Sequence, residues 1–493
     1  MHPITMAEEI KAGYQSYIRT TFPVADESLR SDIHTRVDEE GMLWRGPLLS
    51  LQRPYVRDAQ TLAEQSDDLS LHSDLLTAGA TPIGDKPQAP FGQWKLFSHQ
   101  REAIAQITAG HNTVVSSGTG SGKTEAFFLP VLDYCLRHRG PGIKALILYP
   151  MNALANDQYE RFARYLAGTG VTFGRYTGDT PEDEERAIKD NKEVRPEGLC
   201  REAIWYRKEM RRAETLPNIL MTNYAMLEFL LLRKEDRRLF DEGLRFLILD
   251  EIHTYAGARG VEVACLIRRL REHIGKLEGE LVCIGTSATV RGRETEAVAR
   301  FAGELFADTF DSDHIVMERY EDPDEPEDPY LPPEAAIEPG ELEGLHNLED
   351  AERIEAFCAK HLGGEAAIER ARWEAQQELP KLPKEKQDPI AELLGALLSR
   401  NALFRAIERI LGEPCSLDEV TRYLATGERP ERMDSPQADN GKPLRPGANE
   451  AYLRREVEAY LLLGTRALLG GDPLIRPKVH MFWRGLQGFW RCT

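Results

Sequence analysis

Short apolar runs alternate with longer amphipathic stretches between residues 112 and 288. The apolar runs are Thr113–Val115, Ala145–Tyr149, Ile219–Thr222, Phe246–Leu249 and Leu281–Gly285. Unbroken apolar runs are typical of strands that are buried on both faces, because helices cover both sides of a parallel sheet. The amphipathic stretches between the runs suit helical crossovers. The pattern therefore predicts an α/β domain that is built on a parallel sheet with helices on both faces.

A helical period replaces this alternation in the C-terminal third. Apolar residues recur along one helix face between Ile390 and Leu398. Ser416 and Glu419 have the spacing of a capping box, and Tyr452–Leu468 reads as a further helix. Residues 349–469 lack alternating strands, so they predict a mostly helical domain rather than a second α/β lobe.

The remaining segments complete a four-part organisation. Residues 1–90 contain one helix candidate, Met6–Ile18, and then a polar stretch, and they are predicted to be an accessory segment. Residues 91–315 form the predicted α/β domain. Residues 316–348 are a predicted acidic, proline-rich linker, and residues 349–493 form the helical accessory domain.

Acidic residues are concentrated in the linker. The chain carries 62 basic and 81 acidic residues, a net charge of -19, and residues 321–350 supply twelve acidic residues without a lysine or arginine. Six prolines fall in the same stretch, which favours a solvated spacer. The rest of the chain carries only about -7, so net charge does not exclude a nucleic-acid partner.

Length and cysteine usage narrow the class of protein. A chain of 493 residues is long enough for two to four domains. It has no apolar stretch of the ~18 residues that a membrane span needs and no secretion signal at its start. The seven cysteines include no C-x-x-C pair. We therefore expect a cytoplasmic protein without disulfides and without a membrane partner.

A glycine-rich loop lies between the first apolar run and the helix predicted at Glu125–Arg137. Its sequence is SGTGSGKT at residues 117–124, with Ser117 where the commonest form of the motif has glycine. Between a strand and a helix, such a loop turns backbone N–H groups around phosphates, while the lysine reaches the outer phosphates and the threonine can ligate Mg²⁺. The alternative is a flexible glycine turn, which would not need a strand before it and a helix after it. The predicted nucleotide-binding residues are Gly118, Thr119, Gly120, Ser121, Gly122, Lys123 and Thr124.

Two carboxylates follow the apolar run Phe246–Leu249. Asp250 and Glu251 therefore lie at the end of a buried strand, where open α/β sheets bind their ligands. We expect Asp250 and Thr124 to hold Mg²⁺ and Glu251 to orient or deprotonate the attacking water. Lys123, Asp250 and Glu251 are the predicted catalytic residues. The alternative is an acidic helix start, which the pairing with the glycine-rich loop disfavours.

The sequence resembles superfamily 2 helicases of the DEAD/DEAH type. SGTGSGKT, DEIH at 250–253 and TSAT at 286–289 resemble motifs I, II and III of that family, and the resemblance covers about residues 97–310. It implies a RecA-like fold, ATP and Mg²⁺ as cofactors, and ATPase activity that depends on nucleic acid. It also implies that Gln100 senses adenine and that His253, Ser287 and Thr289 couple hydrolysis to a partner domain.

Three further segments resemble motifs Ia, Ib and Ic of the same family. They are residues 149–158, 176–180 and 221–228. The resemblance implies that they contact a nucleic-acid strand, and neutral donors at strand ends and helix starts suit phosphate contacts. Each segment taken alone has the alternative of ordinary turn and cap chemistry. The predicted contact residues are Pro150, Asn152, Thr177, Gly178, Thr222 and Asn223.

A narrower resemblance links the chain to the large bacterial helicases of mitomycin-lesion repair and phage defence. It rests on Thr254–Gly260 after DEIH and on Pro477–Leu486. In that group a cysteine cluster and a second RecA-like domain follow. We therefore expect the chain to be an N-terminal half in which Cys492 is a first zinc ligand, and to turn over ATP weakly alone.

The residues thus predict the first motor domain of a helicase or translocase that acts on DNA, as a single strand or a duplex with a single-stranded tail. Partner subunits of a repair or defence complex are possible. Two alternatives stay open: a non-hydrolytic, ATP-dependent DNA-binding subunit, and a duplex translocase or remodeller that never separates strands. A basic cluster at Arg201, Arg207, Lys208, Arg211 and Arg212 is interpreted as a solvated charged helix in preference to a nucleic-acid patch, because acidic residues are interspersed.

Overall fold

The computed structural model describes residues 3–21, 25–39, 44–79, 89–118, 120–190, 201–288, 295–321, 328–345, 351–429, 443–484 and 490–492. Contacts divide the chain into two compact units. One unit comprises residues 55–320, and the other comprises residues 1–54 together with 321–493.

The helices of the described residues are α1 Pro3–Thr21, α2 Glu27–Asp38, α3 Ser73–Thr77, α4 Ser98–Thr108, α5 Lys123–Arg137, α6 Asn152–Leu166, α7 Glu184–Asp190, α8 Arg207–Met210, α9 Tyr224–Leu232, α10 Ala258–Ile274, α11 Thr295–Phe306, α12 Pro339–Leu345, α13 Ala351–Cys358, α14 Gly364–Glu378, α15 Pro389–Ser399, α16 Ala402–Ile410, α17 Leu417–Thr426 and α18 Glu450–Arg466. The strands are β1 Trp44–Leu51, β2 Thr113–Ser116, β3 Ala145–Tyr149, β4 Phe173–Arg175, β5 Ala203–Ile204, β6 Ile219–Asn223, β7 Phe246–Leu249, β8 Val282–Ser287, β9 Ile315–Met317, β10 Leu468–Leu469, β11 Asp472–Pro473, β12 Pro477–Arg484 and β13 Trp490–Cys492.

Unit 55–320 is built on a parallel sheet. Within the described residues the sheet has eight strands in the order β5-β4-β6-β3-β7-β8-β2-β9, and every neighbouring pair is parallel. The five predicted strands are the five consecutive strands β6, β3, β7, β8 and β2. The predicted α/β class, a RecA-like P-loop fold with a mostly helical C-terminal region, is confirmed. Sequence analysis missed β4, β5 and β9, which are short and lie towards the edges.

Both faces of this sheet are covered, as the unbroken apolar runs predicted. Along β3, Ile147 and Tyr149 belong to one hydrophobic cluster, whereas Leu146 and Leu148 belong to the other. This alternation follows from the two-residue period of a strand. Because all the strands are parallel, their carboxyl ends meet at one edge, and the loops that carry the predicted motifs follow them there.

The second unit has a helical core that also includes N-terminal residues. Its core contains Leu394, Leu403 and Leu463 from α15, α16 and α18, together with Leu49 from β1. The predicted capping box is confirmed: Ser416 Oγ accepts from Glu419 N at 3.3 Å, and Ser416 N donates to Glu419 Oε2 at 2.8 Å.

The N-terminal ninety residues are shared between the two units. β1 pairs with β12 in an antiparallel sheet, so residues up to Pro54 group with the helical unit. From Tyr55 onwards the chain groups with the parallel sheet. The contact boundary at residue 54 thus differs from the predicted boundary at residue 90.

The predicted linker is only partly a spacer. Its first residues form the edge strand β9, and after residues 322–327, which lie outside the described part, the chain packs on the helical core. Ile337 and Leu345 are buried there, and Tyr330 N donates to Arg400 O at 3.0 Å. The solvated interpretation is therefore wrong for residues 328–345, because a few apolar side chains among the prolines suffice to anchor the segment. Among all the described helices, none is long and apolar enough to cross a membrane.

Candidate nucleotide and nucleic-acid site

The glycine-rich loop connects β2 to α5 as predicted. Gly120 and Gly122 have φ values of 80° and 77°, in the left-handed region that favours glycine. Ser117 Oγ lies 2.5 Å from Ser121 Oγ, and both side chains are buried. The serine in place of the commonest glycine therefore closes the base of the loop with a hydrogen bond. Thr119 lies outside the described residues.

Gln100 is held against this loop. Its Nε2 donates to Gly122 O at 3.1 Å, and its Oε1 accepts from Phe97 N at 2.9 Å. A Cβ atom on Gly122 would lie 2.1 Å from Gln100 Nε2, so a larger residue there would displace the Gln100 amide. The two amide atoms that the family resemblance assigns to adenine are thus oriented by the backbone at the edge of the loop.

Lys123 joins three segments of the site. Its Nζ donates to Ser117 O at 3.1 Å, to Ser287 O at 3.2 Å and to Glu251 Oε1 at 3.2 Å. The ammonium group therefore lies between the loop, the end of β8 and the carboxylate after β7. This is the position from which a lysine can reach the outer phosphates of a nucleotide.

Thr286, a residue of the TSAT motif to which sequence analysis assigned no role, bonds the side chain of Asp250 and the backbone of Glu251. Thr286 Oγ1 donates to Asp250 Oδ1 and accepts from Glu251 N at 3.0 Å. Glu251 has a φ of 52°, a left-handed conformation that costs a non-glycine residue about 1–3 kcal/mol. The threonine hydroxyl thus supports a strained backbone at the residue expected to act on water.

Burial raises the pKa of Asp250, and the negative charge of Glu251 adds to this rise, whereas the hydrogen bond from Thr286 opposes it. Asp250 must be ionised to bind a cation. Asp250 and Thr124, the predicted Mg²⁺ ligands, both line one cleft and offer the oxygen donors that Mg²⁺ prefers. The residues present therefore fit a magnesium nucleotide.

Thr286→Val is expected to lower the affinity for Mg²⁺-nucleotide by about tenfold or more, since one hydrogen bond to a charged group is lost. The pKa of Asp250 should rise further, so Mg²⁺-dependent binding should be lost at a higher pH than in the wild type as the solution is acidified. Nucleotide titrations with Mg²⁺ between pH 5 and 8 measure both effects. Thr113→Val is the matched control, because Thr113 is also buried in the sheet and its hydroxyl donates only to His111 O among the bonds described. If Thr286→Val lost Mg²⁺-dependent binding at the same pH as the wild type, the role assigned to Thr286 would be contradicted.

His253 and Ser287 lie beside Glu251. His253 Nδ1 is 3.2 Å from Glu251 Oε2 and 3.4 Å from Ser287 Oγ. The two predicted coupling residues are therefore brought together at the carboxylate, while Thr289, the third, lies outside the described residues. Their role in coupling stays a prediction.

Glu318 is a second residue that sequence analysis missed. It follows the edge strand β9, and its Oε2 accepts from Gly118 N at 2.6 Å. Burial and the charge of Glu318 raise the pKa of Tyr55 to about 12. No motif marks this carboxylate, because its position depends on β9 pairing with β2 beside the loop.

A cleft of about 580 Å³ lies beside the glycine-rich loop and the two carboxylates after β7. It is lined by the loop and the start of α5, by Phe97 and Gln100, by side chains of α6, and by Asp250 and Glu251. This volume falls in the range of small-molecule and cofactor sites. The structure thus places residues 120–124 of the loop, Gln100 and the two carboxylates around one nucleotide-sized space.

The predicted nucleic-acid residues fall into two groups. Asn152 and Asn223, at the starts of α6 and α9, lie together, with Asn223 Nδ2 donating to Asn152 Oδ1 at 2.6 Å. Pro150 directly follows β3 at the same edge of the sheet, and Gly178 is exposed in the loop after β4. These residues occupy neighbouring strand ends, which suits contacts along an extended strand.

Thr177 and Thr222 do not have the exposed hydroxyls that contact with a nucleic-acid strand would need. Both are fully buried, Thr222 Oγ1 donates to Tyr176 O at 2.5 Å, and Thr177 Oγ1 lies 3.4 Å from Thr180 Oγ1. Their hydroxyls are therefore used within the protein and are not offered to a strand. A hydroxyl at a strand end satisfies the backbone first when the neighbouring strand is close.

One residue of the basic cluster contacts the loop after β4, which carries Thr177 and Gly178. Arg207 Nη2 donates to the carbonyls of Thr177 and Gly178 at 2.7 and 3.0 Å. Arg211 pairs with Glu182 and Asp236 at 2.5 and 2.6 Å. The interpretation as a solvated charged helix is wrong for these two side chains, because both are engaged in internal contacts.

Comparisons with known proteins match part of the chain to one helicase family. Residues 97–298 match the family model described as DEAD/DEAH box helicase. Over 98% of its length the chain is 25% identical to Druantia protein DruE of Escherichia coli (strain UMEA 4076-1), of which it covers 30%. It is 32% identical to ATP-dependent helicase Lhr-Core of Methanothermobacter thermautotrophicus over 41% of the chain and 22% of that protein.

Among solved structures, the DUF1998 helicase MrfA bound to DNA aligns with 68% of the chain and 43% of that protein, at 21% identity and a TM-score of 0.39. The chain thus spans less than half the length of each of these proteins.

Proposed function

We propose, on the premise that residues 97–298 match the DEAD/DEAH box helicase family, that the chain supplies the ATP-hydrolysing domain of a DNA helicase or translocase. The observation that carries this proposal is the bonded arrangement of the loop lysine, the two carboxylates and Thr286 around one cleft. It supports ATP hydrolysis rather than nucleotide binding alone, because Glu251 is held in a strained conformation beside Asp250, the proposed Mg²⁺ ligand.

The chain's own residues have distinct roles in this proposal. The loop amides and Lys123 bind and orient the phosphates, and Asp250 and Thr124 would hold Mg²⁺, which would neutralise charge on the phosphates. Glu251 orients the attacking water and accepts its proton. His253, which contacts Glu251, and Ser287, which contacts His253, would transmit the state of the site to a neighbouring domain.

DNA repair or phage defence is the process we propose for the whole protein. The resemblance of residues 254–260 and 477–486 to repair and defence helicases supports it, as does the similarity to DruE along nearly the whole chain. The non-hydrolytic subunit and the duplex remodeller are the competing functions. Phosphate release with and without DNA, measured beside strand displacement, separates the three: a remodeller hydrolyses without displacing strands, and a sensor does neither.

Binding to single-stranded DNA is expected to be weak and only shallowly dependent on salt. The contact residues are neutral, and the internal bonds of Arg207 and Arg211 remove two cations from the surface. At about -0.7 per neutralised phosphate, a logarithmic salt slope no steeper than roughly -3 is expected. Fluorescence anisotropy across a salt series, with RNA of the same sequence as comparison, measures it. A slope steeper than about -5 would require a basic surface beyond these motifs.

A further inference from the structure

One buried carboxylate in the nucleotide cleft has an oxygen without a partner. Glu125, in the first turn of α5, is 5% exposed. Its Oε1 accepts from Arg161 Nη2 at 2.5 Å and from Tyr165 OH at 2.7 Å. Its Oε2 has no hydrogen-bond partner within the described residues.

An unpartnered oxygen on a buried, charged side chain is costly, and native proteins rarely leave one without a reason. Packing does not require it, because Arg161 and Tyr165 use only the other oxygen. Glu125 lines the cleft, and so does Gln158, whose Oε1 also lacks a partner. Both unpartnered oxygens thus belong to residues that line the cleft.

The free oxygen lies at the Gln100 side of the cleft. A Cβ atom built on Gly122 would lie 3.2 Å from Glu125 Oε2 and 2.1 Å from Gln100 Nε2, so both atoms flank the same point. Phe97, with Arg57 4.7 Å over its ring, lines the cleft as well. A flat aromatic ring, an amide and a carboxylate oxygen therefore stand together, which suits a nucleoside rather than a phosphate.

We propose that Glu125 is a nucleoside-recognising residue whose Oε2 accepts a hydrogen bond from an N–H or O–H donor of the bound nucleotide. The inference rests on the proposed function, because it assumes that the cleft binds ATP. The donor is either the exocyclic amine of adenine or a ribose hydroxyl. Arg161 and Tyr165 hold Oε1, so Oε2 is the oxygen that is left for a ligand.

The two supporting side chains keep this orientation. Burial and the Glu125 carboxylate raise the pKa of Tyr165 to about 12, so its hydroxyl stays protonated and donates. In Glu125→Gln, Arg161 and Tyr165 still need an acceptor and would take the amide oxygen. The amide NH₂ would then take the place of Oε2, so the substitution turns an acceptor into a donor with almost no change of shape.

The test is calorimetric titration of the full 493-residue chain with ADP, IDP, 2′-deoxy-ADP and 3′-deoxy-ADP, which need no hydrolysis. For the wild type, ADP should bind about 10- to 100-fold more tightly than the analogue that lacks the donor, as for a hydrogen bond to a charged acceptor. In Glu125→Gln that preference should vanish. If the amine of adenine is the donor, the variant should prefer IDP, whose 6-oxo group accepts; if a ribose hydroxyl is the donor, one deoxy analogue should bind as well as ADP.

Asp133→Asn is the matched control. Asp133 lies on the same helix, is equally buried and pairs with Arg137 at 2.7 Å, but it does not line the cleft. It should keep the wild-type preferences even if its melting temperature falls as far as that of Glu125→Gln.

Two results overturn the inference. A wild type that binds all four diphosphates equally leaves Glu125 without a donor to recognise, and this result does not depend on how well any variant folds. A folded Glu125→Gln variant that keeps the wild-type order of affinities also overturns the inference, because the carboxylate is then not needed for the preference. In both cases nucleotide binding itself stands. Failure of the wild type to bind any diphosphate overturns the proposed function, and the inference with it.

Discussion

Replacing Glu251 by glutamine is expected to lower ATP hydrolysis by about 10²- to 10⁴-fold, the usual contribution of a positioned general base. Nucleotide affinity should change little. Glutamine keeps an oxygen for Lys123 Nζ, which lies 3.2 Å from Glu251 Oε1, and the backbone bond from Glu251 N to Thr286 does not involve the side chain. What is lost is the negative charge that accepts a proton from water.

Single-turnover hydrolysis with the protein in excess over labelled ATP measures the chemical step, and titration with ADP measures affinity. Glu318→Gln is a useful control. It also removes a carboxylate from the site, but that carboxylate bonds Gly118 of the loop and does not lie next to Asp250. It should disturb the loop, and therefore binding, more than the chemical step. Equal losses of affinity in Glu251→Gln and Lys123→Ala would leave the assignment of Glu251 to the attacking water unsupported.

The sequence predicts the centre of this fold well because the information there is local. Each central strand is an unbroken apolar run, since it is covered on both faces. The loop at 117–124 and the carboxylates at 250–251 follow such runs directly, so parallel pairing alone brings them to one edge. By contrast, β5 has two residues and β4 has three, and neither carries a run that composition can reveal.

The residues that sequence analysis missed depend on register and pairing. Leu249 pairs with Gly285, so the following residues, Asp250 and Thr286, lie side by side. Nothing in either segment alone indicates that bond. Glu318 depends in the same way on the pairing of β9 with β2, and the free oxygen of Glu125 depends on two donors from α6.

The incorrect expectations have the same origin. Thr222 was predicted to contact a strand of nucleic acid from its position at a strand end, but the adjacent Tyr176 carbonyl takes its hydroxyl. The linker was predicted to be solvated from its prolines and acids, but Ile337 is buried in the helical core. Average composition does not show where a single side chain is anchored.

Lys123→Ala is expected to weaken ATP binding by about 10²- to 10³-fold, as for truncating one partner of a buried, hydrogen-bonded charge pair. The loss should grow with the number of phosphates, so the ratio of wild-type to variant affinity should be larger for ATP than for ADP and close to one for adenosine. The reason is that the ammonium group lies between the loop and Glu251, where it can reach the outer phosphates but not the nucleoside.

Lys144→Ala separates this effect from the general cost of removing a buried ammonium group. Lys144 is also buried in the same unit and its Nζ donates to the carbonyls of Gly140 and Gly142, at the amino end of β3. It should lower the melting temperature without changing the ATP-to-ADP affinity ratio. Calorimetric titration of both variants with ATP, ADP and adenosine decides between the two effects. A Lys123→Ala variant that loses affinity for all three ligands alike would show that the lysine acts on the fold of the loop and not on the phosphates, because only a direct contact distinguishes a triphosphate from a nucleoside.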